Sequence, residues 1–212
     1  NDTVAAVDST ALAAAEATPD KAVSAADSLA AALKGGEKKQ QASSADLEQL
    51  KKEHGEEVDA ILVLLGTNDF NEGIPVGEWY TEKKEQVMAA RGKTKKLETR
   101  IKRTLVMDNR TYKGRINIGI SRLKSLFPDK QIILLTPLHR SFADFGEKNV
   151  QPDESYQNRC GEYVDAYVLA VKEAANVWGV PVIDFNAVTG MNPMVEGQLE
   201  YFYDPTFYRL HP

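Results

Sequence analysis

The chain has 212 residues, of which 42% are hydrophobic, and this is enough for one domain with a substantial core rather than two large domains. Its net charge of −5 and pI near 5.4 argue against nucleic acid as the main partner, because phosphate binding requires a basic surface. The single cysteine, Cys160, excludes an internal disulfide, and no apolar run approaches the roughly 18 residues that a membrane span needs.

The first 43 residues are rich in Ala, Ser, Asp and Lys, and only residues 3–7 resemble a strand. Alanine favours helix, but few large apolar side chains are present to anchor a helix to a core. We therefore expect residues 1–43 to be a loosely attached segment and residues 44–212 to form the main domain. The chain begins at Asn1 rather than Met, so a secreted or periplasmic protein that has lost its signal peptide is one expectation.

A regular pattern begins at Ser44, which precedes a predicted helix that runs through Lys52. A strand is predicted after this helix, over residues 60–65. The strand is an uninterrupted apolar run, which is typical of a parallel sheet covered on both faces. Gly66 then allows a sharp turn and a close approach to a ligand, and the Asn68 amide can donate a hydrogen bond to an oxyanion. The alternative is an ordinary polar turn whose side chains bind nearby backbone.

Residues 82–103 contain nine Lys or Arg against three Glu. Such a run predicts the solvated face of a helix, and a nucleic-acid site is the weaker alternative.

Two helices and two strands follow. Apolar residues at helical spacing predict one helix through Phe127, ended by Pro128, and a second helix from Val164 that ends at Gly179. Strands are predicted over residues 131–135 and 180–185. This alternation predicts a three-layer α/β/α sandwich with a mainly parallel, flavodoxin-like sheet and helices on both faces. The loops after the strands then meet at one edge, which we call the carboxyl edge and expect to hold the ligand.

Three histidines are present, and they differ in their surroundings. His211 lies in an aromatic segment with Asp204, and a neutral imidazole oriented by a carboxylate is the usual general base; a packed or surface histidine is the alternative. His139 follows the strand over residues 131–135 and can face the carboxyl edge. His54 lies in a polar helix end, where its charge is favourable. No cluster with metal-ligand spacing is present in the sequence.

Together, Gly66-Thr67-Asn68-Asp69, the segment 136–140 (Thr-Pro-Leu-His-Arg) and the segment 209–212 (Arg-Leu-His-Pro) resemble the SGNH (GDSL-like) hydrolases over about residues 44–212. The resemblance implies a flavodoxin-like sandwich and hydrolysis of small-molecule esters, commonly lipids or acetylated carbohydrates. It implies that Asn68 donates to the oxyanion and that His211 deprotonates a serine, with Asp69 bracing the turn. No metal or organic cofactor is implied.

Two positions differ from that family pattern. The final block of the family places an acid at position 208, where this chain has Tyr208, so Asp204 is the nearest candidate for the carboxylate. The family's Gly-Asp-Ser is absent, and Val7-Asp8-Ser9 is the most similar text. Ser9 follows a short apolar run and precedes an Ala-rich stretch expected to be helical, as a nucleophile should, whereas Asp27-Ser28 is a poorer candidate.

Two classes of function therefore remain open. The first is a serine esterase in which Ser9, His211 and Asn68 act together. The second is a catalytically inactive domain that binds a carbohydrate or another ligand on the same scaffold. A third interpretation, a nucleotide-binding domain of Rossmann type, has little support, because neither Gly-x-Gly-x-x-Gly nor a Walker loop is present. Aromatic residues are candidates for a sugar-stacking cleft, namely Trp79, Tyr80, Phe142, Phe145 and those from Tyr201 to Tyr208.

Overall fold

The computed structural model describes residues 4–8, 11–15, 44–144 and 150–202. The strands are β1 (Val4–Asp8), β2 (Ala11–Ala15), β3 (Ala60–Leu64), β4 (Tyr80–Arg91), β5 (Thr94–Leu105), β6 (Gln131–Leu135), β7 (Ala143–Asp144), β8 (Val150–Gln151) and β9 (Val182–Ile183). The helices are α1 (Ser44–His54), α2 (Thr67–Glu72), α3 (Tyr112–Leu126), α4 (Val164–Trp178), α5 (Phe185–Val188) and a 3-10 helix (Glu196–Tyr201).

The main sheet has the order β2-β1-β3-β6-β9. Strands β1, β3, β6 and β9 are parallel, whereas β2 is antiparallel to β1 at the edge of the sheet. In the register of the sheet, Asp8 of β1 lies opposite Leu64 of β3, and Leu64 lies opposite Leu135 of β6. The carboxyl ends of these strands therefore lie side by side, which confirms the parallel α/β arrangement predicted from the sequence.

One face of the sheet forms the centre of the core. Ile61 and Val63 of β3 lie opposite Ile132 and Leu134 of β6, and all four side chains are buried. The helices contribute the remaining buried side chains, which recur at helical spacing and include Leu47, Ile116, Ile120, Leu123, Tyr167, Val171 and Ala174. On the opposite face, Leu62 is only half-buried.

Helices α1, α3 and α4 contact one another in that order and form a layer on the sheet. The mixed α/β class is confirmed by these contacts. A second helical layer is not formed by these three helices, so the three-layer sandwich stays a prediction. The predicted helix ends agree with the structure: α3 ends before Pro128, and α4 ends at Gly179, which has a left-handed φ of 61°.

The N-terminal residues differ from the prediction. We expected an Ala-rich helix after Ser9, but residues 11–15 form β2, which pairs with β1 from Asp8↔Ala11 to Val4↔Ala15. The hydrogen bonds that β1 offers to a neighbouring strand outweigh the weak helical preference of alanine. Because residues 16–43 lie outside the described part, the division of the chain at residue 43 stays a prediction.

The helix predicted for the basic segment is wrong. Residues 82–103 are not helical but belong to an antiparallel hairpin, in which Tyr80 pairs with Leu105 and Arg91 with Thr94. The two-residue turn Gly92-Lys93 joins the strands, and Gly92 has the positive φ of 75° that such turns require. We call β4, β5 and their turn the hairpin arm. The expectation of solvation holds, because nearly every side chain of β5 is exposed.

The last predicted strand is shorter than expected. Only Val182 and Ile183 pair with β6, instead of residues 180–185. The strand ends early because Asp184 accepts a hydrogen bond from the Ala187 backbone N–H and caps α5. Among the described helices, none is both long and apolar enough to cross a lipid bilayer.

Candidate functional site

The carboxyl edge of the sheet is the candidate functional site. Three described loops begin there: Gly66 and α2 follow β3, residues 136–142 follow β6, and Asp184 follows β9. Asn68 lies in the first turn of α2 and is half-buried. Because the four parallel strands end side by side, polar groups of these loops are brought to one rim of the molecule.

Gly66 is required at the turn between β3 and α2. Its φ is 113°, and a Cβ atom built there would lie 2.7 Å from Pro137 Cγ and 2.7 Å from the Tyr112 hydroxyl. No other residue type fits this space with this backbone conformation. The sharp turn expected from Gly66 is thus present, and the close approach that Gly66 permits is to Pro137 and Tyr112.

Tyr112 lies beneath this turn with only 1% of its surface exposed. Its hydroxyl has no hydrogen-bond partner among the described residues. Burial raises the pKa of Tyr112, and the negative charge of Asp69 raises it further, so the hydroxyl stays protonated. A buried, protonated donor without a partner is an unusual feature next to a candidate site.

Asp69 braces α2 from within. Its carboxylate is 5% exposed, and Arg115 Nη1 lies 2.8 Å from Asp69 Oδ1. Burial raises the pKa of Asp69, whereas the hydrogen bond and charge of Arg115 lower it and oppose that effect. The Arg115 Nε also donates to the Asn109 carbonyl at 2.8 Å, which ties α2 to the segment before α3. These contacts fit the structural role expected for Asp69.

His139 forms a pair with Glu154 at the same edge. The distance between His139 Nδ1 and Glu154 Oε1 is 2.7 Å, and the Glu154 side chain is only 8% exposed. The other carboxylate oxygen, Oε2, accepts a hydrogen bond of 2.8 Å from the Arg140 backbone N–H. A carboxylate held in this way fixes the orientation of the imidazole, which is what an acid–base histidine needs.

Arg140 joins the loop after β6 to α2. Its guanidinium lies 4.9 Å from the centre of the Phe70 ring, and it donates to the Asn71 side chain and, at 3.0 Å, to Gln151 Oε1. Burial lowers the pKa of Arg140, and the charge of Glu154 opposes this effect. Phe70 and Asn71 lie on α2, as does Asn68. The cation–π contact and the hydrogen bonds therefore hold the loop that carries His139 in a fixed position relative to Asn68.

A third set of contacts fixes the ends of β6 and β9. The buried Thr136 hydroxyl donates to Asp184 Oδ1 at 3.0 Å and accepts from the Asn186 backbone N–H at 3.0 Å. Partial burial raises the pKa of Asp184, but hydrogen bonds from Lys172 and Thr136 outweigh it, so the pKa is lowered overall. The edge is therefore a set of interlocked loops rather than a loose surface.

The structure brings some of the predicted site residues together and leaves others outside. Ser9, Asp204, Tyr208 and His211 lie outside the described residues, so their roles stay predictions. Asn68 lies on α2 at the carboxyl edge, and β1, which ends at Asp8, runs directly beside β3.

Some of the aromatic residues predicted to line a sugar-stacking cleft are buried in the core instead. Trp79 is 8% exposed, and its indole N–H donates to Glu173 at 2.7 Å, so it belongs to the core rather than to a sugar-stacking cleft. Phe202 is fully buried, whereas Phe142 and Tyr201 are more than half exposed. Tyr80 stacks near Arg103 at the base of the hairpin arm.

Sequence reasoning placed His139 at the edge but missed its partner, Glu154. The only signal was indirect: an acidic residue in an irregular segment, 15 positions after the histidine. Among the described residues, no group of three or more His, Cys, Asp or Glu side chains is arranged to hold a metal ion. His54 lies 3.4 Å from Glu57 at the end of α1, and both side chains are exposed.

No protein-family model matches the chain, and no curated protein matches it. Solved structures do resemble it. One is 24% identical, with a TM-score of 0.51 over 76% of this chain and 62% of that chain. A protein from Lactobacillus plantarum is 19% identical, with a TM-score of 0.51 over 76% of this chain and 64% of that chain.

A third structure is that of a possible lipase from Chitinophaga pinensis, 19% identical with a TM-score of 0.47 over 80% of this chain and 58% of that chain. The chain thus spans less than two thirds of the length of the solved structures it matches. The first two likenesses show a shared α/β fold. They carry no statement about activity, since one scaffold serves many functions.

Proposed function

We propose that the chain is an ester hydrolase of the SGNH type that acts through a serine nucleophile on small-molecule esters such as those of lipids or acetylated carbohydrates. The observation that supports this most is the pairing of β1 with β3, with Asp8 opposite Leu64. Ser9 follows Asp8 in the sequence, and Gly66-Thr67-Asn68 follows β3. The candidate nucleophile and the candidate oxyanion donor are therefore attached to neighbouring strands that end at one edge.

The reaction would proceed in two steps. The Ser9 hydroxyl attacks the ester carbonyl while a histidine takes its proton, and the tetrahedral oxyanion accepts hydrogen bonds from Asn68 and backbone N–H groups. The histidine then protonates the departing alcohol, and water hydrolyses the acyl-enzyme by the reverse path.

Incubation with a fluorophosphonate probe, followed by mapping of the labelled residue, tests the nucleophile. We expect labelling at Ser9 that is lost in Ser9→Ala and retained in Ser125→Ala, a control whose hydroxyl donates to the Ser121 carbonyl within α3. Asn68→Ala should lower turnover of an acetyl ester by about a hundred- to a thousandfold, the usual effect of removing one oxyanion donor. An unchanged turnover in Asn68→Ala contradicts the proposal.

Two histidines are candidates for the base. The family resemblance favours His211, with Asp204 as its carboxylate, whereas the observed His139–Glu154 pair supplies an imidazole already oriented by an acid. Comparing His211→Gln with His139→Gln separates the two, because only loss of the base should reduce turnover to a residual level and remove the acidic limb of the pH profile, which reflects protonation of that base. If the His139–Glu154 pair acts as the base, Glu154→Gln should lower turnover in the same way as His139→Gln but to a smaller extent.

The alternative function is a non-catalytic binding domain. A specific observation favours it: β1 is followed by an antiparallel strand rather than by the helix that follows the nucleophile in a strand-to-helix elbow. Tyr208 in place of an acid points the same way. Absence of any probe labelling in the full chain, together with saturable binding of an acetylated sugar, supports binding alone.

A further inference from the structure

The hairpin arm divides into two halves that differ in how their charges are paired. Near the base, Arg103 pairs with Glu82 at 2.8 Å, and Glu85 pairs with Lys83 and Lys102. Near the turn, the ammonium groups of Lys93, Lys95 and Lys96 are exposed and have no carboxylate partner among the described residues. The outer half of the arm is therefore a cationic tip on a chain whose net charge is −5.

The arm also exposes apolar side chains along one face, from Ile101 in the inner half to Met88 and Leu97 in the outer half. Met88 lies opposite Leu97 across the two strands, and the exposed fractions of these residues are 57% and 67%. Ile101, opposite Lys84 on the same face, is 63% exposed. Three large aliphatic side chains exposed along one face indicate a surface that contacts a partner.

The arm is attached to the domain only near its base in the described structure. There the Val106 N–H donates to the Trp79 carbonyl at 3.0 Å, and Asn117 donates to the Val106 carbonyl at 2.9 Å. Twelve residues per strand extend roughly 40 Å at about 3.3 Å per residue. A two-stranded ribbon of this kind is only marginally stable in water by itself, so contact with a surface would stabilise it.

We propose that the outer half of the hairpin arm binds an anionic lipid surface. Met88 and Leu97 enter the headgroup and acyl boundary, while Lys95 on the same face, with Lys93 and Lys96, contacts lipid phosphates and carboxylates. This combination of an apolar row and flanking lysines is what interfacial binding requires. The proposal does not depend on ester hydrolysis.

Two other partners fit less well. Nucleic acid binds through phosphates and through base stacking on aromatic rings, but the exposed apolar side chains of the outer half are aliphatic. A second copy of the chain would need roughly 20 to 30 residues on each side, far more than this row of three supplies. The aliphatic row and the unpaired lysines together favour lipid.

Co-sedimentation of the full chain with vesicles tests the proposal. We expect binding to mixed phosphatidylcholine–phosphatidylserine vesicles and little binding to phosphatidylcholine alone. The variant Lys93→Gln, Lys95→Gln, Lys96→Gln should bind the mixed vesicles about a hundredfold more weakly, since each basic residue near the surface contributes about fivefold. Met88→Ser with Leu97→Ser should weaken binding by about tenfold or more.

Matched controls use the other face and the base of the arm. Val87→Ser removes an apolar side chain that is 42% exposed but lies on the opposite face, beside Glu98, and should change binding by less than about twofold. Lys83→Gln with Lys102→Gln removes two charges roughly 30 Å from the turn, several Debye lengths away, and should also have a small effect. Thermal melts of every variant confirm that the domain is folded.

Several outcomes would overturn the inference. They are the absence of binding to mixed vesicles, equal loss in Val87→Ser and the Met88–Leu97 variant, and retention of binding when the three lysines are neutralised. A concentration-dependent dimer broken by the Leu97 variant would assign the arm to a second copy. Salt-sensitive binding to duplex DNA that ignores the Met88–Leu97 variant would assign it to nucleic acid.

Discussion

The carboxyl edge and the hairpin arm use similar residue types in opposite ways. At the edge, Asp69, Glu154 and Arg140 are largely buried, and each side chain makes hydrogen bonds to specific neighbours. On the arm, most charged side chains are exposed, and the ammonium groups of Lys93, Lys95 and Lys96 have no carboxylate partner among the described residues. Buried pairs set the position of loops, whereas exposed charges are available to a partner outside the molecule.

The first test of this difference replaces one glycine with positive φ in each region. Gly66→Ala should lower the free energy of unfolding by about 3 kcal/mol or more, because its Cβ meets Pro137 and Tyr112 and the backbone conformation is unfavourable for alanine. Gly92→Ala should cost only about 1 kcal/mol, since φ is also positive but no atom lies within 4 Å of the added Cβ. Urea unfolding measures both, and equal losses would show that the edge is no more tightly packed than the arm.

The second comparison removes one arginine from each region. Arg115→Leu leaves the Asp69 carboxylate, 5% exposed, without its main partner and should destabilise the fold by about 2 kcal/mol. Arg103→Leu breaks the pair with Glu82, whose side chains are 66% and 49% exposed, and should cost less than about 1 kcal/mol.

The pH dependence sharpens this second test. Burial already raises the pKa of Asp69, and loss of Arg115 should raise it further. A raised folded pKa means that stability is retained at low pH and lost as the pH rises through that value. The destabilisation in Arg115→Leu should therefore be smaller in acid than at neutral pH. A double variant with Asp69→Leu should recover part of the loss, and no recovery would contradict an unpaired carboxylate as its cause.

The sequence predicted those helices and strands whose apolar residues repeat regularly within a single segment. Strands β3 and β6 and helices α3 and α4 were visible because their apolar residues recur at fixed spacing within each segment. The hairpin arm was missed because Lys, Glu and Gln are good helix formers, while the signal for a turn, Gly92 followed by Lys93 between Thr-containing runs, is short. Strand β2 depends on pairing with β1, which alanine content does not reveal.

The candidate site was predictable in part for the same reason. Gly66 and Asn68 follow a strand directly, so the strand places them. The contact of His139 with Glu154, and that of Arg140 with Phe70, depend on the path of an irregular loop after β6. Neither spacing nor residue type specifies such a path, so these contacts become visible only in three dimensions.

The smallest expected effect concerns the charge of Asp184. Although partial burial raises its pKa, hydrogen bonds from Lys172 and Thr136 lower it below the usual 3.8. A lowered folded pKa contributes stability that is present above the unfolded pKa and is lost as the pH falls through the folded one. Asp184→Asn keeps the cap on α5 and removes only the charge, so it should cost about 0.5 to 1 kcal/mol at neutral pH and progressively less in acid.

The control for this prediction lies on the arm. Hydrogen bonds from Lys83, and then from Lys102, lower the pKa of Glu85, but both lysines are more than half exposed, so these ion pairs are open to solvent. We expect added salt to erase the effect of Glu85→Gln and to reduce the effect of Asp184→Asn only in part, because the half-buried Asp184 carboxylate also accepts hydrogen bonds from Thr136 and from the Ala187 backbone N–H. If salt erased both effects alike, the charges at the carboxyl edge would be as free as those of the arm, and the contrast between the two regions would rest on packing alone.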